Sequence, residues 1–333
     1  MLELLRPPPH RGPLIAAGAV ALAVGLALTE LRLSDELATG VHFLILAVPA
    51  ALILALGIQA PNEEGSPPAY QSVLLVTGLL LLFATLLRLA DLLGADLTDD
   101  VFDGATTWTG AVTAAAALWV ALRKRSAVCV LIAAIAATLA LLSAWDWIFN
   151  PGTFTASRWL LLIAAVVLVL AGLALRAQLP RHAELLIVSA GLAILAIGLQ
   201  AILSGVFFEA VPGLPETVLP GFWELVLLAG GCGAIAFGAV DRSPGPAWLG
   251  VAILATFVVV TSVGEATLQW WPTLLLVVGA GAMVVGLRPR EELPPEPDAY
   301  GVGGRPLASR SADDEVVLRV RDDTPPTGSV PER

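Results

Sequence analysis

The sequence predicts an all-α, polytopic membrane helix bundle with about ten transmembrane helices. The chain of 333 residues is 57% hydrophobic and only 14% charged, whereas soluble domains average roughly 45–50% and 25%. Its mean hydropathy is +0.84. The apolar residues fall in separate runs of about 17 to 25 residues, the length of helix that crosses a bilayer. These observations exclude a water-soluble globular protein.

Ten runs have the required length and composition, and inside a bilayer only a helix satisfies the backbone polar groups of such a run. They cover residues 13–29, 39–58, 70–93, 102–122, 126–148, 158–178, 184–206, 220–240, 246–264 and 271–287. We therefore predict a ten-span membrane domain over residues 1–287. Residues 288–333 are rich in proline, glycine and charge and have no periodic apolar face. This composition predicts a disordered cytosolic tail.

Basic residues near the ends of the spans predict that both termini are cytoplasmic, because Lys and Arg are retained on the inner side. With the N-terminus inside, three basic residues fall on the outer side: Arg32, Arg88 and Arg158. Ten fall on the inner side: Arg6, Arg11, Arg123, Lys124, Arg125, Arg176, Arg181, Arg242, Arg288 and Arg290. We predict a multi-pass protein of a bacterial-type inner (plasma) membrane, with the lipid bilayer as its surroundings.

The composition also limits the chemistry that the chain can perform. The net charge of −10 argues against a nucleic-acid partner. Two cysteines and three histidines exclude a disulfide framework and a metal site rich in Cys or His. No glycine-rich phosphate loop or nucleophile elbow is present. We therefore expect no cofactor, no catalytic residue and no enzymatic activity.

Two similar segments suggest an internal repeat of five spans. Residues 53–60 (ILALGIQA) and 194–201 (ILAIGLQA) agree at six of eight positions, and an odd number of spans would invert the second copy. In transporters built this way the site lies between the repeats, near interrupted helices. Pro49 interrupts span two, and Ser189 lies beside the position that corresponds to it, Ala190. The alternative is a chance match between segments rich in the same apolar residues.

Ionisable residues within spans are functional hypotheses by default. Arg88 and Asp91 lie three residues apart on one face of span three, so we expect them to pair. Glu224 lies near the outer end of span eight, and His42, at the start of span two, is interpreted as an interfacial residue. The alternative is that these groups are shallow enough to reach headgroup water. The candidates for a substrate pathway are Pro49, Arg88, Asp91, Ser189 and Glu224.

An acidic run between spans three and four contains a weak candidate for a metal site. Asp99, Asp100 and Asp103 form the sequence DDVFD, a DDxxD pattern that holds Mg²⁺ and a diphosphate in prenyl-transferring enzymes. Such enzymes need a second, facing acidic motif, and no other aspartate cluster occurs within the spans. We therefore expect a solvated acidic loop and no resident metal.

Within the tail, residues 313–323 (DDEVVLRVRDD) alternate enough to add a strand to the sheet edge of a cytosolic partner. The alternative is a solvated tail without a partner.

One hairpin carries a resemblance to a known family. Residues 264–286 read GEATLQWWPTLLLVVGAGAMVVG, which resembles the Gly-Glu before the final span of ten-span drug/metabolite-type permeases, a family built from two inverted five-span repeats. It resembles equally the closing span of many uncharacterised bacterial membrane proteins. The first resemblance implies a transporter of small molecules.

From the residues and this resemblance we predict a small-molecule permease that works by alternating access. Spans two and seven would line the site, and Arg88 and Glu224 would flank its outer mouth. The rival hypothesis is a non-transporting membrane scaffold whose tail recruits a partner. A remote alternative is a lipid- or prenyl-processing enzyme that uses the aspartate cluster.

Overall fold

The computed structural model describes residues 12–33, 38–62, 67–95, 104–149, 154–208 and 220–263, all within the unit Met1–Leu268. The regular structure of these residues is entirely α-helical. Each of their nine helices is long and apolar enough to cross a membrane, which confirms the prediction of a polytopic helical bundle. The helices are α1 Gly12–Leu33, α2 Thr39–Gln59, α3 Ala69–Leu92, α4 Gly104–Lys124, α5 Ala127–Phe149, α6 Phe154–Leu175, α7 Pro180–Phe208, α8 Gly221–Asp241 and α9 Pro244–Val263.

The helix bounds agree with the predicted spans to within about a turn, and the largest differences are at the end of α1 and at the starts of α6 and α7. The run predicted from residue 158 begins at Phe154, and the run predicted from residue 184 begins at Pro180. Apolar runs omit polar first turns, and proline is favourable at the first position of a helix. The predicted tenth span 271–287, the tail 288–333 and the DDVFD motif lie outside the described residues and stay predictions.

Consecutive helices pack as hairpins: α2 with α3, α4 with α5, α6 with α7 and α8 with α9. Only Arg125 and Ser126 separate α4 from α5, and only Arg242 and Ser243 separate α8 from α9. Both arginines have left-handed backbone, with φ of 53° and 54°, a conformation that costs about 1–2 kcal/mol for residues other than glycine. We call the side of the bundle with these turns the Lys124 end, and the side where α1 ends and α2 begins the Glu30 end.

The helices α1, α2 and α3 form one packed group. Gly12 lies on the ring of Tyr70, so α1 and α3 start at the same end of the bundle. In the contact between α2 and α3, Gly78 lies against Leu54 and Gly57 lies against Leu75. These contacts place the last turn of α1, the first turn of α2 and the end of α3 together at the Glu30 end.

The helices α6 to α9 pack through glycines. α7 contacts α5, α6, α8 and α9, and a Cβ on Gly191 would lie 2.5 Å from the Leu249 side chain of α9. Gly231 of α8 and Gly250 of α9 approach so closely that a Cβ on Gly250 would lie 2.6 Å from the carbonyl oxygen of Gly231. Small residues allow such contacts between membrane helices.

Large apolar side chains also cover the outward faces of the helices, as expected where a helix faces lipid. On α2, Leu44, Val48 and Leu52 are about half exposed, and on α6 Val166, Val167 and Leu170 are exposed to a similar extent. Together with the lengths of the helices, these faces identify an integral membrane protein.

Candidate functional site

A partly buried ion pair joins α1 to α3 at the Glu30 end. The Arg88 guanidinium donates from Nη2 and Nε to Oε2 of Glu30, at 2.7 and 3.0 Å. The two hydrogen bonds converge on a single carboxylate oxygen, and both are strengthened by the opposite charges of the partners. The Glu30 side chain is 15% exposed and that of Arg88 is 31% exposed. The pair therefore connects two helices while Arg88 keeps some contact with the surroundings of the bundle.

The same carboxylate also holds His42 of α2. Nδ1 of His42 lies 2.8 Å from Oε1 of Glu30, and the imidazole is 4% exposed. Nε2 of this ring is buried and has no hydrogen-bond partner among the described residues. The ring is therefore covered by protein in the first turn of α2, against the last turn of α1. The interpretation of His42 as an interfacial residue stays a prediction.

The expected contact between Arg88 and Asp91 is present but is the weaker contact of Arg88. Nη1 of Arg88 lies 3.5 Å from Oδ2 of Asp91, a longer distance than either contact with Glu30. We call Glu30, His42, Arg88 and Asp91 the Glu30 cluster. With neutral histidine it contains two carboxylates and one guanidinium, so its formal charge is −1.

The order of the helices brings this cluster together. Glu30 is in the last turn of α1 and His42 is in the first turn of α2, so a short connection places them at the same end of the bundle. Arg88 is one turn from the end of α3, which runs parallel to α1. Glu30 was missed because its strongest partner is 58 residues away in the chain. The available signal is positional: Glu30 directly follows the first predicted span, His42 begins the second and Arg88 lies near the end of the third, so alternating spans place all three on one side.

Pro49 and Ser189 are not brought together among the described residues. Pro49 lies inside α2, which packs on α1 and α3, whereas α7 packs on α5, α6, α8 and α9. Ser189 is buried, and its hydroxyl donates to the carbonyl oxygen of Leu185 one turn earlier, at 2.8 Å, a common arrangement for serine in membrane helices. Their role in a substrate pathway stays a prediction.

The helix contacts neither establish nor exclude the repeat. The matching glycines of the two similar segments are both buried, Gly57 against α3 and Gly198 against Leu227 of α8, as a correspondence of α2 with α7 requires. In contrast, α6 packs extensively on α7, whereas α1 packs mainly on α3. The inverted repeat stays a prediction.

Glu224 is in the first turn of α8 and is buried, 7% exposed. Beside it the rings of Trp159, Phe222 and Trp223 contact one another, with centroids 5.1 to 5.3 Å apart. A carboxylate in the first turn of a helix is stabilised by the helix dipole. α8 begins at the Glu30 end, so Glu224 lies on the same side of the bundle as Arg88. This agrees with its predicted position near the outer end of span eight.

Polar contacts at the Lys124 end complete the ends of helices. Nε2 of the fully buried Gln71 donates to the carbonyl oxygens of Gly57 and Ala60, at 2.9 and 3.1 Å, and Nζ of Lys124 also donates to Ala60, at 3.1 Å. These bonds satisfy carbonyls that the end of α2 leaves without helical partners. In the second half, Arg176 pairs with Asp241 and Ser243 donates to Glu184.

Within the described residues no group of three or more His, Cys, Asp or Glu side chains could hold a metal ion; Asp99, Asp100 and Asp103 lie outside those residues. Among the described residues we therefore take the Glu30 cluster as the candidate functional site, because its carboxylate is shared by a guanidinium and a buried imidazole.

Comparison of the chain with protein-family models, with curated proteins and with solved structures gave no match.

Proposed function

We propose that this integral membrane protein is a small-molecule permease that works by alternating access. The observation that carries the proposal is the Glu30 cluster, which joins three membrane helices through ionisable side chains. Removing a charge from water costs several kcal/mol even when it is paired. Ionisable groups inside membrane helices mark ion and substrate pathways by default.

The contacts of Arg88 suggest how the cluster takes part. Each of its three guanidinium nitrogens contacts a carboxylate of Glu30 or Asp91, so three of its five N–H donors are used within the protein in this conformation. An ion pair between α1 and α3 that breaks in one conformation and forms in another is an element with two states. Such a pair would close the Glu30 end of the pathway, which is the outer end under the predicted topology.

Water access at the middle of α7 tests the proposal. In a background with Cys129→Ala and Cys232→Ala, a single Ser189→Cys change is challenged in sealed vesicles with a membrane-impermeant thiol reagent, added to one side at a time. Ser189 is 3% exposed here, so labelling requires a second conformation that hydrates it. The expected result is labelling from both sides, because an alternating pathway opens to each in turn.

Two matched positions make the result interpretable. Val167→Cys lies at a similar depth on α6 but on an outward face, 57% exposed, and lipid should protect it from both sides. Gln178→Cys, exposed in the turn between α6 and α7, should be labelled from one side only, which also tests the proposed cytoplasmic orientation. Protection of Ser189→Cys from both sides, in a folded protein, would refute the permease and favour the scaffold whose tail recruits a partner.

A further inference from the structure

We propose that Glu30 and His42 form a proton-binding site inside the bundle, in which Nε2 of His42 takes up the proton. In a permease this proton would be the coupling ion. That role rests on the proposed function, whereas proton binding itself does not.

The geometry of the imidazole supports a base at this position. When Nδ1 donates its hydrogen to Oε1 of Glu30, at 2.8 Å, Nε2 carries the lone pair of the neutral ring. That atom is buried without a hydrogen-bond partner among the described residues, and an unsatisfied buried polar atom costs about 1–3 kcal/mol. Histidines that act as general bases often have this arrangement: a carboxylate accepts a hydrogen bond from one ring nitrogen, and the other nitrogen has a lone pair that can accept a proton.

The charges around His42 favour the same reaction. Among the residues whose side chains the structure describes, the charged groups on the helices packed against α2 are Glu30 of α1 and Arg88 and Asp91 of α3. Their sum is −1 when the imidazole is neutral. Transfer of one proton from water to Nε2 gives an imidazolium and brings the cluster to zero, and Nδ1 continues to donate to Glu30.

The exposure of the four side chains falls from the surface toward His42. The side chains of Asp91 and Arg88 are 34% and 31% exposed, that of Glu30 is 15% exposed and that of His42 is 4% exposed. Each residue contacts the next, and the row of contacts ends at Nδ1 of the ring. Arginine keeps its proton, so this row sets the charge around the ring and does not relay protons, and Nε2 takes up its proton from water in a conformation that exposes it.

The test is a pH titration of the histidine side chains by ¹⁵N NMR, on the full chain in lipid nanodiscs. The His42 resonances are assigned by their absence from His42→Gln, or, if that variant does not fold, as the signals that persist in both His10→Gln and His182→Gln. We expect Nε2 to change reversibly from the neutral to the protonated form as the pH is lowered. A ring that keeps one protonation state at every pH at which the protein stays folded would overturn the proposal.

Glu30→Gln tests the role of the carboxylate with little change in size. We expect the midpoint of the His42 titration to move to lower pH by about 1 or more, because an opposite charge in contact favours the protonated ring. Asp91→Asn is the matched control and should move the midpoint less, since Asp91 contacts Arg88. An unchanged midpoint in Glu30→Gln would remove Glu30 from the site. The titration needs no transport, so protection of Ser189→Cys with a titrating His42 would refute the permease alone.

Discussion

The two halves of the described bundle are held together in different ways. In α1 to α3 the Glu30 cluster joins three helices at one end, and the buried Gln71 joins α2 to α3 at the other. In α6 to α9 the ion pair of Arg176 with Asp241 lies at the Lys124 end, where Arg176 is 44% exposed. Glycines bring helices close together in both groups. The difference is therefore in the ion pairs, which are partly buried in the first group and more exposed in the second.

The largest expected effect on stability is that of Glu30→Gln. The change leaves the Arg88 guanidinium and the His42 ring without their shared carboxylate. We expect the free energy of unfolding to fall by about 3 kcal/mol, the lower end of the values for breaking a buried ion pair, because Arg88 keeps some contact with solvent. Denaturation in mixed micelles, followed by circular dichroism, measures it.

A double variant separates the ion pair from other effects of that change. Adding Arg88→Met to Glu30→Gln removes both charges, so the loss should be smaller than the sum of the two single losses. A single-variant loss below about 1 kcal/mol would mean that the cluster behaves as a surface salt bridge.

An intermediate effect is expected from Gly250→Ala in α9. Its Cβ would lie 2.6 Å from the carbonyl oxygen of Gly231 and 2.8 Å from the backbone nitrogen of Ile235. Backbone atoms cannot turn aside, so α8 and α9 must separate, at a cost of about 1–3 kcal/mol. The same denaturation experiment measures the change.

Gly233→Ala is the matched control in the same hairpin, because a Cβ on Gly233 has nothing within 4 Å. It should leave stability unchanged or raise it slightly, since alanine favours a helix over glycine. Equal losses for the two variants would show that close approach of the backbones does not stabilise this hairpin.

The smallest effect is expected from Asp241→Asn. The partner of Asp241 is largely exposed, so the loss should not exceed about 1 kcal/mol, and it should shrink as salt is added. Arg176 also keeps its position over the Phe237 ring, 5.6 Å from the centroid. Unfolding at two salt concentrations measures both points, and a loss as large as that of Glu30→Gln would abolish the contrast between the halves.

Features that depend on neighbours in the chain were predicted from the sequence. The nine described helices were predicted to within about a turn, because hydropathy is a property of consecutive residues. The contact between Arg88 and Asp91 was predicted for the same reason, since residues three apart share a helix face. The stronger partner of Arg88, Glu30, could not be identified, because no local pattern specifies which span lies beside which.

The sequence by itself determined that this chain crosses a membrane repeatedly as helices, since apolar runs of this length have no other way to satisfy their backbone in lipid. It also determined which residues carry charge near the ends of the spans. Only the tertiary structure decided that α1 packs beside α3, and with it that one carboxylate holds an arginine from α3 and a histidine from α2. The physical reason is that helix pairing depends on the shapes of whole faces, which here place Glu30 next to groups 12 and 58 residues away.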